Sequence, residues 1–446
     1  MLSKTVSPAQ LGFYSTFEEQ LNHHHPLYIL ASQVNWQLFE QEFSPLFDAS
    51  TGRPAKPIRR MVALLILKHL RNLSDESVVE QWSENSYYQY FSGEKYFATT
   101  QPCDASELVH FRYRIGEQGI ELILKESIRI NGKDGHDDQV SVDTTVQEKN
   151  ITFPTDSKLH RKIITKCQKI AAAEDLAVRQ SYTRTLKKLG IDQRFRNHPK
   201  NKGKARKADK KVKTIAGRLV RELERNLPAN SKYQADIDLF KQVLNQKRSD
   251  SNKIYSLHEP DVQCISKGKE HKKYEFGNKA SIVHTQNTGV IVGALSFRNE
   301  YDGHTLQKAL EQTVRLTAKA PATAIADRGY RGTSHIGETQ IIIPKTFTKS
   351  LSGYKQTKLK RHFKKRAAIE PVISHLKSDY RLNRNFYKGI FGDNINVMLS
   401  AAAFNFKRMM NKWKSSFLRL FENFVFILQM FPHSHFLQKQ IVKKSF

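Results

Sequence analysis

Three acidic residues in this sequence lie in local sequence contexts that suit metal-dependent chemistry. Asp143 follows the apolar start of VSVDTT, Asp327 follows that of AIADRGYRG, and Glu370 lies among basic residues in RAAIEPVISHLK. The first two segments predict buried strands with an aspartate at or near the tip, and the third predicts a helix. Burying three acids without a cation is costly, and carboxylate oxygens are ligands for divalent cations. The pattern therefore predicts divalent-metal chemistry.

Each acid also has an ordinary structural explanation. An aspartate at a strand end, or before Arg-Gly as at Asp327, is commonly a turn or capping residue. On one continuous helix, Arg366, Glu370 and Lys377 would share a face, and Arg366–Glu370 could be a routine surface ion pair. Pro371 is unfavourable inside a helix, so the helix either begins near Glu370 or bends there. If it begins there, Arg366 need not share the glutamate's face.

The composition indicates a polyanionic partner. The 446 residues include 73 Lys and Arg against 43 Asp and Glu, which gives a net charge of +30. Such an excess is typical of nucleic-acid binding, with a membrane surface as the alternative. The C-terminal run FLRLFENFVFILQMF is interrupted by Arg419, Glu422 and Asn423. This predicts an amphipathic packing helix, and we expect no transmembrane helix and no membrane partner.

The termini and cysteines suggest a cytosolic protein. The N-terminus lacks a basic region followed by an apolar core, so we expect no secretory signal. The three cysteines are far apart and form no Cys-x-x-Cys pair, which predicts neither a disulfide framework nor a thiolate zinc site. We therefore expect a reducing, cytoplasmic compartment, with association to the nucleoid if the host is a bacterium.

The N-terminal region predicts an all-helical domain over residues 1–135. IRRMVALLILKHLRNL (58–73) has helical periodicity, and Ser74 or Asp75 can cap the helix that follows. Two helices joined by a short polar turn are compatible with a DNA-binding helix-turn-helix and equally with a hairpin that merely packs. Both possibilities stay open at this point.

Residues 136–410 predict a mixed α/β domain with a long insertion. Strand patterns at 280–285 and 290–297 flank QNTG, which predicts a hairpin, and a helix, AIAD and QIIIP (340–344) follow. The insertion, 158–257, is polar and helical in character, and between Arg194 and Arg225 it carries 13 Lys or Arg against three acids. A solvated insertion is possible, but this charge density favours an arm that contacts phosphates, with 197–211 partly disordered when no ligand is bound. We expect residues 411–446 to form an amphipathic helical tail.

These motifs together resemble the DDE transposases of bacterial insertion sequences, in the branch marked by a Tyr-x2-Arg-x3-Glu-x6-Lys signature. Arg366, Glu370 and Lys377 match its last three positions, and Phe363 stands at the tyrosine position. The resemblance extends over about residues 30–406 and includes NEYDGHTL, IADRGYRG and LNRNFYKGIFGDNINVMLSAAAFNF. It implies a ribonuclease-H-like mixed sheet with flanking helices, and a long basic helical insertion after the first strand.

The resemblance also implies the chemistry. Asp143, Asp327 and Glu370 would be the catalytic residues and would hold two Mg²⁺ ions, which Mn²⁺ could replace. Arg366, Lys377 and Arg328 would contact DNA phosphates. Water attack would free a 3′-OH at the element's end, and that hydroxyl would attack target DNA. Double-stranded DNA would be the partner, a homodimer would be the working unit, and no small-molecule cofactor is expected.

Three other functions remain possible from the sequence. A metal-dependent nuclease without strand transfer could use the same three acids. A DNA-binding protein derived from a transposase would need no active site, although three intact acids argue against it. A basic RNA-binding protein would explain the charge but not the acids. We also expect Asp302 to be a helix N-cap rather than a site residue.

Overall fold

The computed structural model describes residues 15–430 except 49, 51, 229, 248, 267–272, 299, 331, 333 and 344–352, and without the side chains of 353, 355, 358, 359 and 416–430. The chain forms two compact units. The first comprises the residues up to Gln147, Lys279–Asn385 and the residues from Phe391 onward. The second comprises Glu148–Asn278 and Phe386–Ile390. The predicted insertion, 158–257, lies inside the second unit, while the three-domain division stays a prediction.

Seven α-helices come first among the described residues of the first unit. They are α1 (Phe17–Gln20), α2 (Pro26–Gln33), α3 (Trp36–Phe43), α4 (Ile58–Leu70), α5 (Asp75–Glu84), α6 (Ser86–Phe91) and α7 (Ala105–Ile130), the last kinked at Gly116. The predicted pair of helices is confirmed, because the Ser74 side chain accepts a hydrogen bond from the Ser77 amide and caps α5. Helix α4 is almost entirely buried and is thus a core element.

A mixed sheet follows, which confirms the mixed α/β prediction. Its strands are β1 (Gln139–Lys149), β2 (Gln263–Ile265), β3 (Glu275–Thr285), β4 (Ile291–Phe297), β5 (Thr323–Ile325), β6 (His335–Ile336), β7 (Thr339–Ile342) and β8 (Arg384–Asn385). Strands β3 and β4 form the predicted antiparallel hairpin, and β1, β5 and β7 are parallel neighbours. β2 pairs with the first residues of β3, in the second unit.

Strand β1 extends further than the sequence predicts. The prediction that Asp143 lies at or near a strand tip is wrong, because β1 continues to Lys149. The residues beyond Asp143 are largely polar yet buried, so their hydrophobicity does not mark them as strand. Gln147, for example, donates to Asp393 and accepts from Asn396. Asp327, in contrast, follows the end of β5 by two residues.

Four more α-helices follow in the described part of the first unit. They are α12 (Asp302–Thr317), α13 (Gly353–Arg366), α14 (Ile369–Asp379) and α15 (Gly389–Met430), which begins within the second unit. The predicted helical tail is described only to Met430, and 431–446 lie outside the described residues. Among the residues described, no helix is long and apolar enough to cross a membrane.

The second unit is largely helical and has its own core. Its helices are α8 (Asp156–Ala173), α9 (Thr183–Asp192), α10 (Pro199–Asn226) and α11 (Gln234–Asn245). The expectation of partial disorder over 197–211 is not met, because α10 begins at Pro199. A stripe of Ala205, Ala208, Val212 and Ile215 at helical spacing is buried on one face of α10.

A candidate active site on two parallel strands

The register of two parallel strands aligns the first two predicted acids. Gln139 pairs with Thr323 and Ser141 pairs with Ile325 across β1 and β5. Continuing this register by two residues puts Asp143 level with Asp327. Asp327 lies beyond the carboxyl end of β5, and such strand ends are a common place for ligand sites in α/β proteins, whereas Asp143 lies within β1. The register thus puts the two aspartates on adjacent segments of the sheet.

A third aspartate, which the sequence analysis assigned to a cap, joins them. Asp302 is the first residue of α12 rather than its N-cap, which is Tyr301, so the cap expectation is wrong. Its Oδ1 accepts a hydrogen bond from the Thr144 hydroxyl at 3.1 Å and lies 3.0 Å from Nζ of Lys279. Asp302 is thus hydrogen-bonded to β1, the strand that carries Asp143. The only sequence signal was an acid at the junction of a strand and a helix.

Gly329 marks the point where two of these carboxylates converge. Its amide donates to Oδ1 of Asp327 at 2.8 Å. A Cβ placed on Gly329 would lie 3.0 Å from Oδ1 of Asp327 and 3.2 Å from Oδ2 of Asp302. The space beside Gly329 is therefore faced by oxygens of two acids that are far apart in sequence.

Tyr330 is a buried residue on which the charges of the three aspartates act. Its side chain is 1% exposed, and its hydroxyl has no hydrogen-bond partner within 3.5 Å among the described residues. Burial raises the pKa of Tyr330 well above its ordinary value, the charges of Asp302, Asp143 and Asp327 also raise it, and the nearby Thr144 side chain lowers it. The hydroxyl therefore stays protonated, and it is a donor surrounded by carboxylates.

The third predicted acid begins a new helix. Helix α13 ends at Arg366 and α14 begins at Ile369, so Glu370 and Pro371 lie in the first turn of α14, where a proline is tolerated. Of the two alternatives, the structure supports a helix that begins near Glu370. Nη1 of Arg366 lies 3.6 Å from Oδ2 of Asp143, and each side chain is 19% exposed. Arg366 thus pairs with Asp143 rather than with Glu370.

The other predicted residues are exposed or half-buried. Glu370 and Arg328 are exposed, Lys377 is half-buried in the last turn of α14, and Phe363 is half-buried on α13. The end of α13 is held against the turn between β3 and β4, where Lys365 Nζ lies 2.6 Å from Oδ1 of Asn287.

The donor chemistry of the site suits a hard divalent cation. Carboxylate oxygens are the preferred ligands of Mg²⁺ and Mn²⁺, and Asp143, Asp302 and Asp327 supply them around a buried hydroxyl. Within the part of the chain that is described, no three His, Cys, Asp or Glu side chains are gathered closely enough to hold a metal ion. Neither the trio Asp143, Asp302 and Asp327 nor the trio Asp143, Asp327 and Glu370 is therefore gathered into one set of ligands in this structure.

Comparisons with known proteins identify the class. The family described as "Transposase domain (DUF772)" matches residues 15–114, and the family described as "Transposase DDE domain" matches residues 251–406. An uncharacterized protein, ORF8 in the nfe locus of Rhizobium meliloti, is 39% identical over 191 residues, which cover 42% of this chain and 92% of that protein. No solved structure matches. The chain belongs to the DDE transposases of insertion sequences.

Proposed function

We propose that this protein binds the terminal inverted repeats of an insertion sequence, hydrolyses phosphodiester bonds at its ends and joins the 3′-OH ends to target DNA. The observation that carries the proposal is the register of β1 and β5, whose continuation puts Asp143 level with Asp327, with Arg366 of the signature beside Asp143. Membership of the DDE transposases supports the same reaction class. The sheet order β4–β3–β1–β5–β7 supports a ribonuclease-H-like core.

The catalytic residues in this proposal are Asp143, Asp327 and Glu370. They would hold two Mg²⁺ ions, or Mn²⁺ in their place, and these ions supply charge stabilisation for in-line displacement at phosphorus. Glu370 would complete the set when the first turn of α14 approaches the aspartates. Arg366, Lys377 and Arg328 would contact DNA phosphates, and Arg366 would exchange Asp143 for a phosphate oxygen.

The wider surface fits double-stranded DNA as the partner. The net charge of +30 and the exposed cations of α10 provide a sequence-independent attraction to phosphates. Because an element has two ends that must be cut together, a homodimer is the working unit in this proposal. The division into an N-terminal helical DNA-binding and dimerisation domain, a catalytic domain and a helical tail belongs to it, as does a cytoplasmic, nucleoid-associated location. Neither a membrane nor a small-molecule cofactor has a part in it.

The test is cleavage of a supercoiled plasmid that carries the element's own ends, with Mg²⁺, by wild type and by Glu370→Gln. The substitution keeps the shape of the side chain and removes a ligand charge. We expect wild type to cut at the ends and to yield joined products. Glu370→Gln should bind the ends equally well and cut at least about a hundredfold more slowly, since a metal ligand is lost.

A matched control is Asp379→Asn, which removes one negative charge from the last turn of the same helix. This variant should cut like wild type. Equal cutting by wild type and Glu370→Gln would remove Glu370 from the site. Cleavage without joined products would favour the nuclease alternative, and binding of the ends without any cleavage would favour a DNA-binding protein derived from a transposase.

A further inference from the structure

We propose that Asp302 is a fourth carboxylate of the active site, and that it forms with Asp327 the cation-binding pair of the DNA-free protein. The proposal deepens the proposed function and rests on it. The three-acid signature does not include Asp302, which is 25 residues before Asp327 in the sequence. The ligand is a hard divalent cation, Mg²⁺ or Mn²⁺.

The two oxygens of Asp302 have different surroundings. Oδ1 is held by the Thr144 hydroxyl and by Lys279, whose Nζ also donates to the Glu300 carbonyl at 2.7 Å. Oδ2 faces the space beside Gly329, where Oδ1 of Asp327 also points. One oxygen therefore fixes the orientation of the carboxylate, and the other is presented to a ligand.

Two negative charges that converge on one space need compensation. Lys279 supplies one positive charge to Asp302, and Asp327 receives only the Gly329 amide among the hydrogen bonds that its side chain accepts in the described residues. The charges of these acids act on the buried Tyr330 hydroxyl, which has no partner within 3.5 Å in that same part of the chain, although the Thr144 side chain is near enough to lower its pKa. A cation with its bound water would satisfy both the charge and the hydroxyl.

Both carboxylate oxygens of Asp143 already have partners. Its Oδ2 is 3.6 Å from Nη1 of Arg366, and its Oδ1 accepts from the Thr144 amide at 2.7 Å. A cation that binds before DNA arrives would have to displace the guanidinium from Oδ2 of Asp143. At Asp302 the competing cation, Lys279, is on Oδ1, and Oδ2 faces the space that Asp327 shares. The first ion therefore depends on Asp302 and Asp327, and much less on Asp143.

The experiment is a titration of the full-length protein with Mn²⁺ in the absence of DNA, followed by the electron paramagnetic resonance signal of free Mn²⁺. We expect Asp302→Asn and Asp327→Asn each to weaken binding by tenfold or more. Asp143→Asn should change it by less than threefold. The control is Glu311→Gln, which removes one charge from an exposed position of the same helix as Asp302 and should also leave binding unchanged.

A second variant keeps the test valid if Asp302→Asn does not fold. Asp302→Cys would replace the carboxylate by a thiolate, which prefers Cd²⁺ to Mg²⁺. We expect Cd²⁺ to produce thiolate-to-metal absorption in Asp302→Cys beyond that of wild type, and none in Glu311→Cys. Wild-type Mn²⁺ affinity in folded Asp302→Asn, or no additional absorption in folded Asp302→Cys, would overturn the proposal.

The role of Asp302 and the proposed function can fail separately, because Mn²⁺ binding and DNA cleavage are measured in different experiments. A protein that cuts plasmid ends but binds Mn²⁺ normally without Asp302 would refute only the role of Asp302. A protein that loses Mn²⁺ binding with Asp302→Asn, but whose wild type never cuts the ends, would refute only the transposase reaction.

Discussion

At the scale of single residues, Gly329 determines how closely the carboxylates can approach. Its Cβ position lies 3.0 Å and 3.2 Å from oxygens of Asp327 and Asp302, which is tighter than ordinary van der Waals contact. We expect Gly329→Ala to fold and to bind DNA like wild type, but to cut the element's ends on the order of tenfold more slowly. The physical reason is that a displacement of a few tenths of an ångström misaligns catalytic ligands. Single-turnover cleavage of end-containing DNA measures this effect.

Gly203→Ala is the appropriate control, because a Cβ at Gly203 meets no atom within 4 Å. Its cleavage rate should equal that of wild type. If Gly329→Ala cut at the wild-type rate, the space beside Gly329 would not be part of the reacting centre.

The sequence predicted the residues of this site unequally. Asp143 and Asp327 could be found because each follows an apolar run that marks a buried strand. Asp302 and Lys279 could not be found, because their roles depend on contacts between β1, β3 and α12. No local sequence pattern encodes how these three elements pack together. Arg366 was found by its spacing from Glu370, but its partner, Asp143, lies on another element.

At the scale of elements, α10 carries two basic grooves. One, of about 690 Å³, is lined by Lys210, Lys213, Arg221 and Lys241, with no acid among its lining residues. The other, of about 510 Å³, is lined by Arg179, Arg218, Arg221 and Arg225, with Glu222 as its acid. Arg221 is common to both grooves, so consecutive phosphates of one DNA strand are suitable ligands.

We therefore expect the triple variant Lys210→Gln, Lys213→Gln, Arg221→Gln to bind DNA more weakly and with a smaller dependence on salt. Each lost phosphate contact lowers the slope of log K against log salt concentration by about 1, so the slope should fall by about 2 to 3. Binding of a DNA duplex at several salt concentrations, measured by fluorescence anisotropy, gives this slope.

The matched control substitutes Lys166, Lys204 and Lys232 with Gln. These lysines belong to the same unit but pair with Asp236, Asp192 and Glu174. The control has the same net charge as the triple variant and should keep most of the wild-type slope. Identical slopes for the two triple variants would mean that only net charge matters and that the grooves do not hold phosphates.

Helix α10 also shows where sequence patterns mislead at this scale. Its charge density favoured partial disorder over 197–211, yet alanines and β-branched residues at every third or fourth position bury one face of the helix. The charged residues are all on the other faces, so composition averaged over the segment conceals the amphipathic pattern.

At the scale of the whole molecule, a buried histidine makes the stability of the first unit depend on pH. His69 on α4 is fully buried, and its Nε2 lies 3.3 Å from Oδ1 of Asn396 on α15. Burial, together with the charges of Lys68 and Arg381, lowers the pKa of His69 to about 3, and the hydrogen bonds with Asn396 and Leu65 oppose this shift only in part. The folded protein therefore keeps His69 neutral at pH values where the unfolded chain protonates it.

Because the folded pKa lies below the unfolded value of 6.5, this stability is complete above pH 6.5 and decreases as the pH falls towards 3. Between pH 7.5 and pH 5.0 we expect His69 alone to cost about 2 kcal/mol of the free energy of unfolding. All three tryptophans, Trp36, Trp82 and Trp413, belong to the first unit, so urea unfolding followed by tryptophan fluorescence measures it selectively.

The comparison that isolates His69 is between two variants, since other groups also titrate over this range. His69→Gln is neutral at both pH values and should lose about 2 kcal/mol less than wild type on acidification, whatever its stability at pH 7.5. His110→Gln, at an exposed position of α7, should show the wild-type loss. An unchanged loss in His69→Gln would show that the α4–α15 contact tolerates a charged imidazole, and that acid sensitivity arises elsewhere in the unit.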